Sequence, residues 1–493
     1  MATMSEKDRF PTSHGDHGNS ESWLIENSPQ RKANIEKECD ETSLIDRINQ
    51  LFDALIVQIL SRFRLDSSMV HKFIFLTDNV LPLLSSSSIK KCNLNFVFKH
   101  EDDVSYFPII DKWLEFALNK KVEALCLNIS YDIDAIENDQ PNSLPEVFCS
   151  SSSILKLKCQ NCRILDDCVL NWTSLKSLTL ESLLIQDEHI RQIMPNCSQL
   201  ELLNPYGFCG FNHLHTTSPK CKRLKLIDHY HPIGERYSFE GDCCFEVVAL
   251  YVEDLTISGD FDHTEIELKD LSSLDHAKLD LCSDEFDSVD EDILIDLLVN
   301  VRCANEIILS SYLPHSSVQV ISNLMLEEED VSLPLLECRW LTISSCISKL
   351  SFPLLENLLR STHNLENLII FPDTSYHPFF EDEEIDLLED KYLSFEEKIF
   401  KVSLQNLKNI KVMPFCSRTR RSDETELDQF LKFLLEHAIN QEKLIIVPEH
   451  KECNSCSTNT SYLMKYLLAF PTTSISAVIS LGKVSQNVVY SDV

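Results

Sequence analysis

A short apolar signature, Leu-x-x-Leu-x-Leu, recurs along this chain from Leu94 to Leu444, and no other feature restricts the fold so strongly. The fullest copies run Ile154, Leu157, Cys159, Cys162, Ile164 and Leu175, Leu178, Leu180, Leu183, Ile185. Shorter copies put Leu224 and Leu226, Leu255 and Ile257, Leu341 and Ile343, Leu368 and Ile370, and Ile410 and Val412 at the same two places. Weaker copies centre on Leu94, Leu125, Leu202, Leu279, Ile307 and Leu444. The mean spacing is roughly 29 residues, enough for one strand and one return segment. The intervals are uneven, which predicts irregular returns of helix, 3₁₀ turn or loop.

The residue types follow from strand geometry. Side chains alternate across a strand, so the fourth and sixth positions of each copy share one face. One copy cannot bury that strip alone, whereas stacked copies bury it against each other. The expected architecture is an α/β solenoid with a curved parallel sheet, running from about Asn93 to Val447. Its core holds Leu157, Leu178, Leu180, Leu224, Leu226, Leu255, Ile257, Leu341, Ile343, Leu368 and Ile370. The outward positions include Lys156, Lys158, Gln160, Thr179, Glu181, Arg223, Lys225, Asp254, Thr256, Trp340, Thr342 and Ser344, a mixed set with no single chemical theme.

Composition narrows the functions. With 44 Lys and Arg against 78 Asp and Glu, the net charge is −34. Most of such a surface repels phosphate backbones and anionic lipid, and no long run of Lys or Arg interrupts the sequence, so neither nucleic acid nor membrane is an expected partner. No apolar stretch is long enough for a spanning helix, and the first residues lack the apolar core of a signal peptide. A cytosolic or nuclear location is therefore expected. The 19 cysteines are odd in number and follow no framework spacing, so they read as reduced, mostly buried thiols. Only 8 glycines occur in 493 residues, and none builds a phosphate-binding loop. Signatures of hydrolase elbows, zinc proteases and kinases are likewise missing from the sequence. No cofactor is expected.

Along the chain, residues 1–43 are polar and read as disordered. In residues 44–81, Leu51, Leu55, Ile56, Ile59, Leu60 and Phe63 share one face of a predicted helix. Residues 82–403 hold the repeats, 404–448 a final strand, helix and strand, and 449–493 a tail. The acidic insert 381–398 reads as a solvated loop or helix outside the stack.

Two segments resemble a known family. Asp46 to Ser61, DRINQLFDALIVQILS, is similar to the opening of plant F-box domains, and matches at Asp46, Arg47, Ile48, Leu51, Asp53, Leu55, Ile59, Leu60 and Ser61. Leu404 to Pro448 resembles the FBD region that closes proteins of the same family. With the repeats between, the chain resembles the plant F-box/leucine-rich-repeat proteins. The resemblance implies a non-enzymatic substrate adaptor of a cullin-based ubiquitin ligase. Leu51, Leu55, Ile56, Ile59 and Leu60 would then face the Skp adaptor or the F-box interior, and the repeats would hold a target protein. The F-box departs from the family at Phe52, where proline is usual. It departs again after Ser61, where RFRLDSSMVHKFIFLTDNVL replaces the turn and the Ser-Lys-Arg-Trp helix. A truncated F-box predicts weak or lost Skp binding, and the alternative function is a repeat-only binding scaffold. An enzyme is the third reading.

Other constellations read as structural. Cys159 and Cys162 have half-zinc spacing but sit where a repeat takes buried residues. Cys453 and Cys456, near His450, do not complete a zinc site. His213, His215, His229 and His231 read as a surface loop, without an acidic partner at a recognisable spacing. Asp284 to Asp296 lacks the ligand pattern of a calcium loop.

Overall fold

A computed structural model describes residues 90–98, 107–131, 142–144, 146–165, 168–183, 185–229, 243–261, 264–282, 291–310, 333–345, 347, 352–372, 404–415, 426–448, 467 and 478–481. All of these residues belong to one unit, Leu55–Val493. The predicted helix bearing Leu51, Leu55, Ile56, Ile59 and Leu60 lies outside the described residues. So do His231, the acidic insert, and Cys453 with Cys456.

The elements follow in order: β1 (Lys91–Phe98), α1 (Phe107–Asn119), β2 (Ala124–Tyr131), β3 (Asn142–Ser143), a 3₁₀ turn (Glu146–Cys149), β4 (Lys156–Gln160), β5 (Cys162–Arg163) and β6 (Ser177–Glu181). Next come α2 (Asp187–Asn196), β7 (Leu202–Phe208), β8 (His213–His215), β9 (Arg223–His229), β10 (Cys243–Val248), β11 (Asp254–Asp260), β12 (Thr264–Lys269) and β13 (His276–Cys282). The last are α3 (Glu291–Val301), β14 (Glu306–Ser310), β15 (Trp340–Ser345), α4 (Phe352–Ser361), β16 (Asn367–Pro372), β17 (Asn409–Phe415), α5 (Glu426–His437), β18 (Lys443–Pro448) and β19 (Val478–Leu481).

One 14-stranded sheet takes β1, β2, β4, β6, β7, β9, β11 and then β13 to β19 in chain order. Every pairing between the described strands is parallel, as a repeat stack requires. The fold is the expected α/β leucine-rich-repeat arrangement. It runs one strand further than the sequence indicated, because β19 joins β18 within the segment read as a tail.

Register aligns two inward rows. Leu125, Leu157, Leu178, Leu203, Leu224 and Leu255 are successive neighbours in the first, and Ala277, Ile307, Leu341, Leu368, Ile410 and Leu444 continue it. The second row carries Leu127, Cys159, Leu180 and Pro205, then Leu226, Ile257, Leu279, Leu309, Ile343, Ile370 and Val412. Except for the partly buried Leu309, these positions are buried in a single core.

One copy is displaced from its sequence reading. Leu203, not Leu202, holds the inward place, and Leu202 is half-buried on the opposite face. The physical reason is that the copy runs Leu200-x-x-Leu203-x-Pro205. Proline replaces the third apolar residue and hides the phase, although Leu200 and Leu203 are buried.

A left-handed residue stands just past the strand or one residue before its end in consecutive repeats: Asn161 (φ 55°), Ser182 (φ 51°), Gly207 (φ 56°), Asp228 (φ 50°) and Gly259 (φ 93°). Asn and Asp tolerate this conformation better than most residues with a side chain. The kink breaks the alternation, so Cys162, Leu183, Phe208 and His229 point inward although their odd or even phase would send them out. At Gly259 a Cβ would overlap Asp228 Oδ1. Gly259→Ala should therefore cost about 1–3 kcal/mol from backbone strain and displacement of that carboxylate. Chemical denaturation checks this, and a stability equal to the parent chain would contradict it.

Past the kinks, the returns differ along the stack. Helices α1, α2, α3, α4 and α5 occupy some, while β8, β10 and β12 form a second, three-stranded parallel sheet. This sheet holds an aromatic cluster. Phe208 stacks on Phe211 at 5.0 Å, and His229 stacks on Phe245 at 5.7 Å and on Phe261 at 6.2 Å. Neither feature carries the leucine signature, so neither was visible in the sequence.

Candidate functional site

With one sheet face buried, the opposite face presents the outward side chains of each strand. Alternation places them: in β4 the burial pattern is exposed, buried, exposed, buried, intermediate, and β6 and β9 show the same phase. Lys156, Lys158, Arg223 and Trp340 are exposed, and Gln160, Thr179, Glu181, Lys225, Asp254, Thr256 and Ser344 are half-buried. Thr342 differs, being buried although outward-pointing, with Ile308 and Ile369 beside it in register.

The strand entrances form a charged rim. Lys176 pairs with Glu201 at 3.1 Å, Lys222 with Glu253 at 2.7 Å and Lys408 with Glu366 at 2.9 Å. The backbone explains the placement. Each rim carbonyl takes N–H groups from two successive residues of the next repeat, as Lys176 O does from Glu201 and Leu202. Exposed pairs of this kind add at most about 1 kcal/mol each. They also neutralise the rim.

Further along the strands, Lys158 Nζ lies 2.6 Å from Glu181 Oε2. Burial, followed by the carboxylates of Asp228 and Glu181, raises the Tyr206 hydroxyl above its usual range, and Asp228 shares a hydrogen bond with it. Tyr206 thus remains a neutral donor on this face. Asn204 Oδ1 is buried on the same strand without a hydrogen-bond partner.

The histidines fall differently from their reading as a loop. His229 is a core residue, 5% exposed, with Nδ1 3.1 Å from Thr264 Oγ1. His213 and His215 sit on strand β8 and do have acidic partners, Asp187 at 3.3 Å and Glu246 at 2.8 Å. Those partners lie 26 and 31 residues away, and the start of α2 brings Asp187 to His213 while β10 brings Glu246 to His215. Glu246, held by Lys269 and His215, is lowered to about 2.

The cysteines behave as core residues. Burial pushes Cys162 up to about 12 and Cys338 up to about 12, which suppresses thiolate chemistry. Cys159 and Cys162 are both buried among the repeats. Cys168 Sγ lies 2.7 Å from Cys149 Sγ. Among the described residues no group of three or more His, Cys, Asp or Glu is placed to hold a metal ion. No described helix is long and apolar enough to cross a membrane.

Residues 110–274 match the family model of the leucine-rich repeats of the FBD-associated F-box protein At5g56370. That span runs from within α1 to just past the end of β12. The chain is also similar to three Arabidopsis thaliana proteins. It is 24% identical to the putative F-box protein At1g49610 over 53% of this chain and 63% of that protein. It is 24% identical to the putative F-box/LRR-repeat protein At5g02930, over 60% of this chain and 61% of the relative. To the F-box/LRR-repeat protein At3g03360 it is 27% identical over 57% and 56%. The chain thus spans less than two thirds of these relatives' own length. The similarity to plant F-box/leucine-rich-repeat proteins matches the resemblance carried by the sequence.

Proposed function

We propose that this chain, with repeats of the plant F-box/leucine-rich-repeat kind, is a substrate-recognition adaptor of a cullin-based ubiquitin ligase in the cytosol or nucleus. The open sheet face would hold the protein to be modified, and the chain would perform no chemistry itself. One observation carries the reading: the F-box-like string Asp46 to Ser61 precedes a parallel sheet whose residues 110–274 match F-box-protein repeats. A repeat face of this kind offers many side chains at fixed spacing, which suits a polypeptide better than a small substrate.

A second reading, a repeat-only binding scaffold, is favoured by the sequence after Ser61, which lacks the Ser-Lys-Arg-Trp element. F-box surfaces are shared among several short helices, and small interfaces depend on a few central anchors. A single short helix is also marginal in water without packing. Titration of the whole chain with the Skp adaptor should show weak or no binding. Replacing residues 62–71 with a complete relative's segment should strengthen it. Tight binding by the unmodified chain, not improved by the graft, would establish the adaptor. Absence of binding in both forms would leave the scaffold.

A further inference from the structure

We infer that Lys156, Lys158, Arg223 and Lys225 form a docking cradle for an acidic polypeptide segment of the protein held by the repeats. The inference rests on reading the open face as target-binding, and it adds the chemistry of the target. In a chain of net charge −34, the grouping is unexpected.

Two repeats carry the same arrangement, Lys-Leu-Lys at 156–158 and Arg-Leu-Lys at 223–225, with each leucine buried and its neighbours turned outward. Register then sets the two tripeptides opposite each other. Lys156 aligns with Ser177, Ser177 with Leu202 and Leu202 with Arg223. Lys158 aligns with Thr179 and Thr179 with Asn204, while Leu203 opposite Leu224 puts Lys225 on the same line. Three strand spacings separate the two sides, about 14 Å, and two residues along a strand separate the cations on each side, about 6.6 Å. The result is a rectangle of cations around a floor of Ser177, Thr179, Leu202 and Asn204.

Among the described residues, only Lys158 of the four forms an ion pair, with Glu181 at 2.6 Å. Arg223 stands in register with Asp254 without pairing. The rim lysines beside the cradle, Lys176 and Lys222, are already paired with Glu201 and Glu253. An anionic guest would therefore meet the cradle as the local field, within a Debye length of about 8 Å at physiological salt.

The charge distribution favours a polypeptide over a nucleic acid. An extended polyanion would leave the cradle and meet the acidic remainder of the surface, whereas a short acidic segment need not.

The test uses the full chain and three labelled probes: a twelve-residue peptide alternating Glu and Ser, its Gln and Ser counterpart, and a single-stranded oligonucleotide of similar length. The acidic peptide should bind about tenfold more tightly than the neutral one, and added salt should weaken it. The combined Lys156→Glu, Lys158→Glu, Arg223→Glu and Lys225→Glu chain should lose that preference while keeping its melting temperature. Should the reversal disturb folding, Lys156→Gln with Arg223→Gln provides the milder variant, with a partial loss expected. Equal binding of both peptides, retained preference after reversal, or tighter binding of the oligonucleotide would each overturn the inference. Skp titration of the same preparations reports separately on the ligase link. Its failure leaves the cradle result standing, and a failed cradle leaves the adaptor standing.

Discussion

Replacing Trp172 with alanine should cost about 3–5 kcal/mol, the range for emptying a buried large aromatic site. Trp172 is 1% exposed and packs edge-on against Phe148, with ring centroids 6.2 Å apart and planes at 72°. Its Nε1 donates to Phe148 O at 3.0 Å. Phe148 lies in the 3₁₀ return and Trp172 in the connection from β5 to β6, so this pair fastens two successive returns behind the strands. Backbone bonds run through the same place, from Asn171 N to Cys149 O at 2.8 Å and from Ser151 N to Asn171 O at 3.1 Å. Trp172→Phe keeps most of the ring and removes the donor, leaving a buried carbonyl short of its partner, so about 1–3 kcal/mol is expected. Urea denaturation should order the three forms as parent, Trp172→Phe, Trp172→Ala. An alanine variant within experimental error of the parent would show that the returns do not depend on this contact.

Leu255→Ala should cost about 2–5 kcal/mol, and the upper half of that range is expected because of its neighbour. Leu255 is fully buried and sits in register between Leu224 and Ala277. Ala277 is already the smallest side chain of that row, so the substitution would put two alanines side by side. Neither could fill the space left by the other. The outward Thr256, one residue on, gives the control, since Thr256→Ala removes no core volume. In a repeat array the damage should stay near its origin. Hydrogen exchange should quicken in β9, β11 and β13 and remain unchanged in β17. A melting change no larger than that of Thr256→Ala would mean that Leu255 does not support the stack.

The repeat strands were legible because the cue is local. A strand has a side-chain period of two, and Leu178 with Leu180 or Leu255 with Ile257 displays that period within three residues. Where a substitution disguised the phase, the reading slipped by one residue, as at Leu200-x-x-Leu203-x-Pro205. The second sheet was invisible for a related reason. Its cluster of Phe208, Phe211, Phe245, Phe261 and His229 draws on three successive repeats and shows no period in any of them. His229 therefore read as a loop residue, although a left-handed Asp228 turns it into the core.

The candidate site divides in the same way. Alternation around each buried leucine assigned Lys156, Lys158, Arg223 and Lys225 to the outward face one strand at a time. The sequence by itself thus determined the repeat, the parallel stacking it demands and the face each strand residue takes, because burial of an alternating strip leaves one consistent choice. Only the tertiary structure decided which outward residues stand together. That depends on the register across four strands, set by the lengths and kinks of the returns between them, and no residue of a return records what its strand will face. Through that register, residues 67 positions apart in an acidic chain become the corners of one basic cradle.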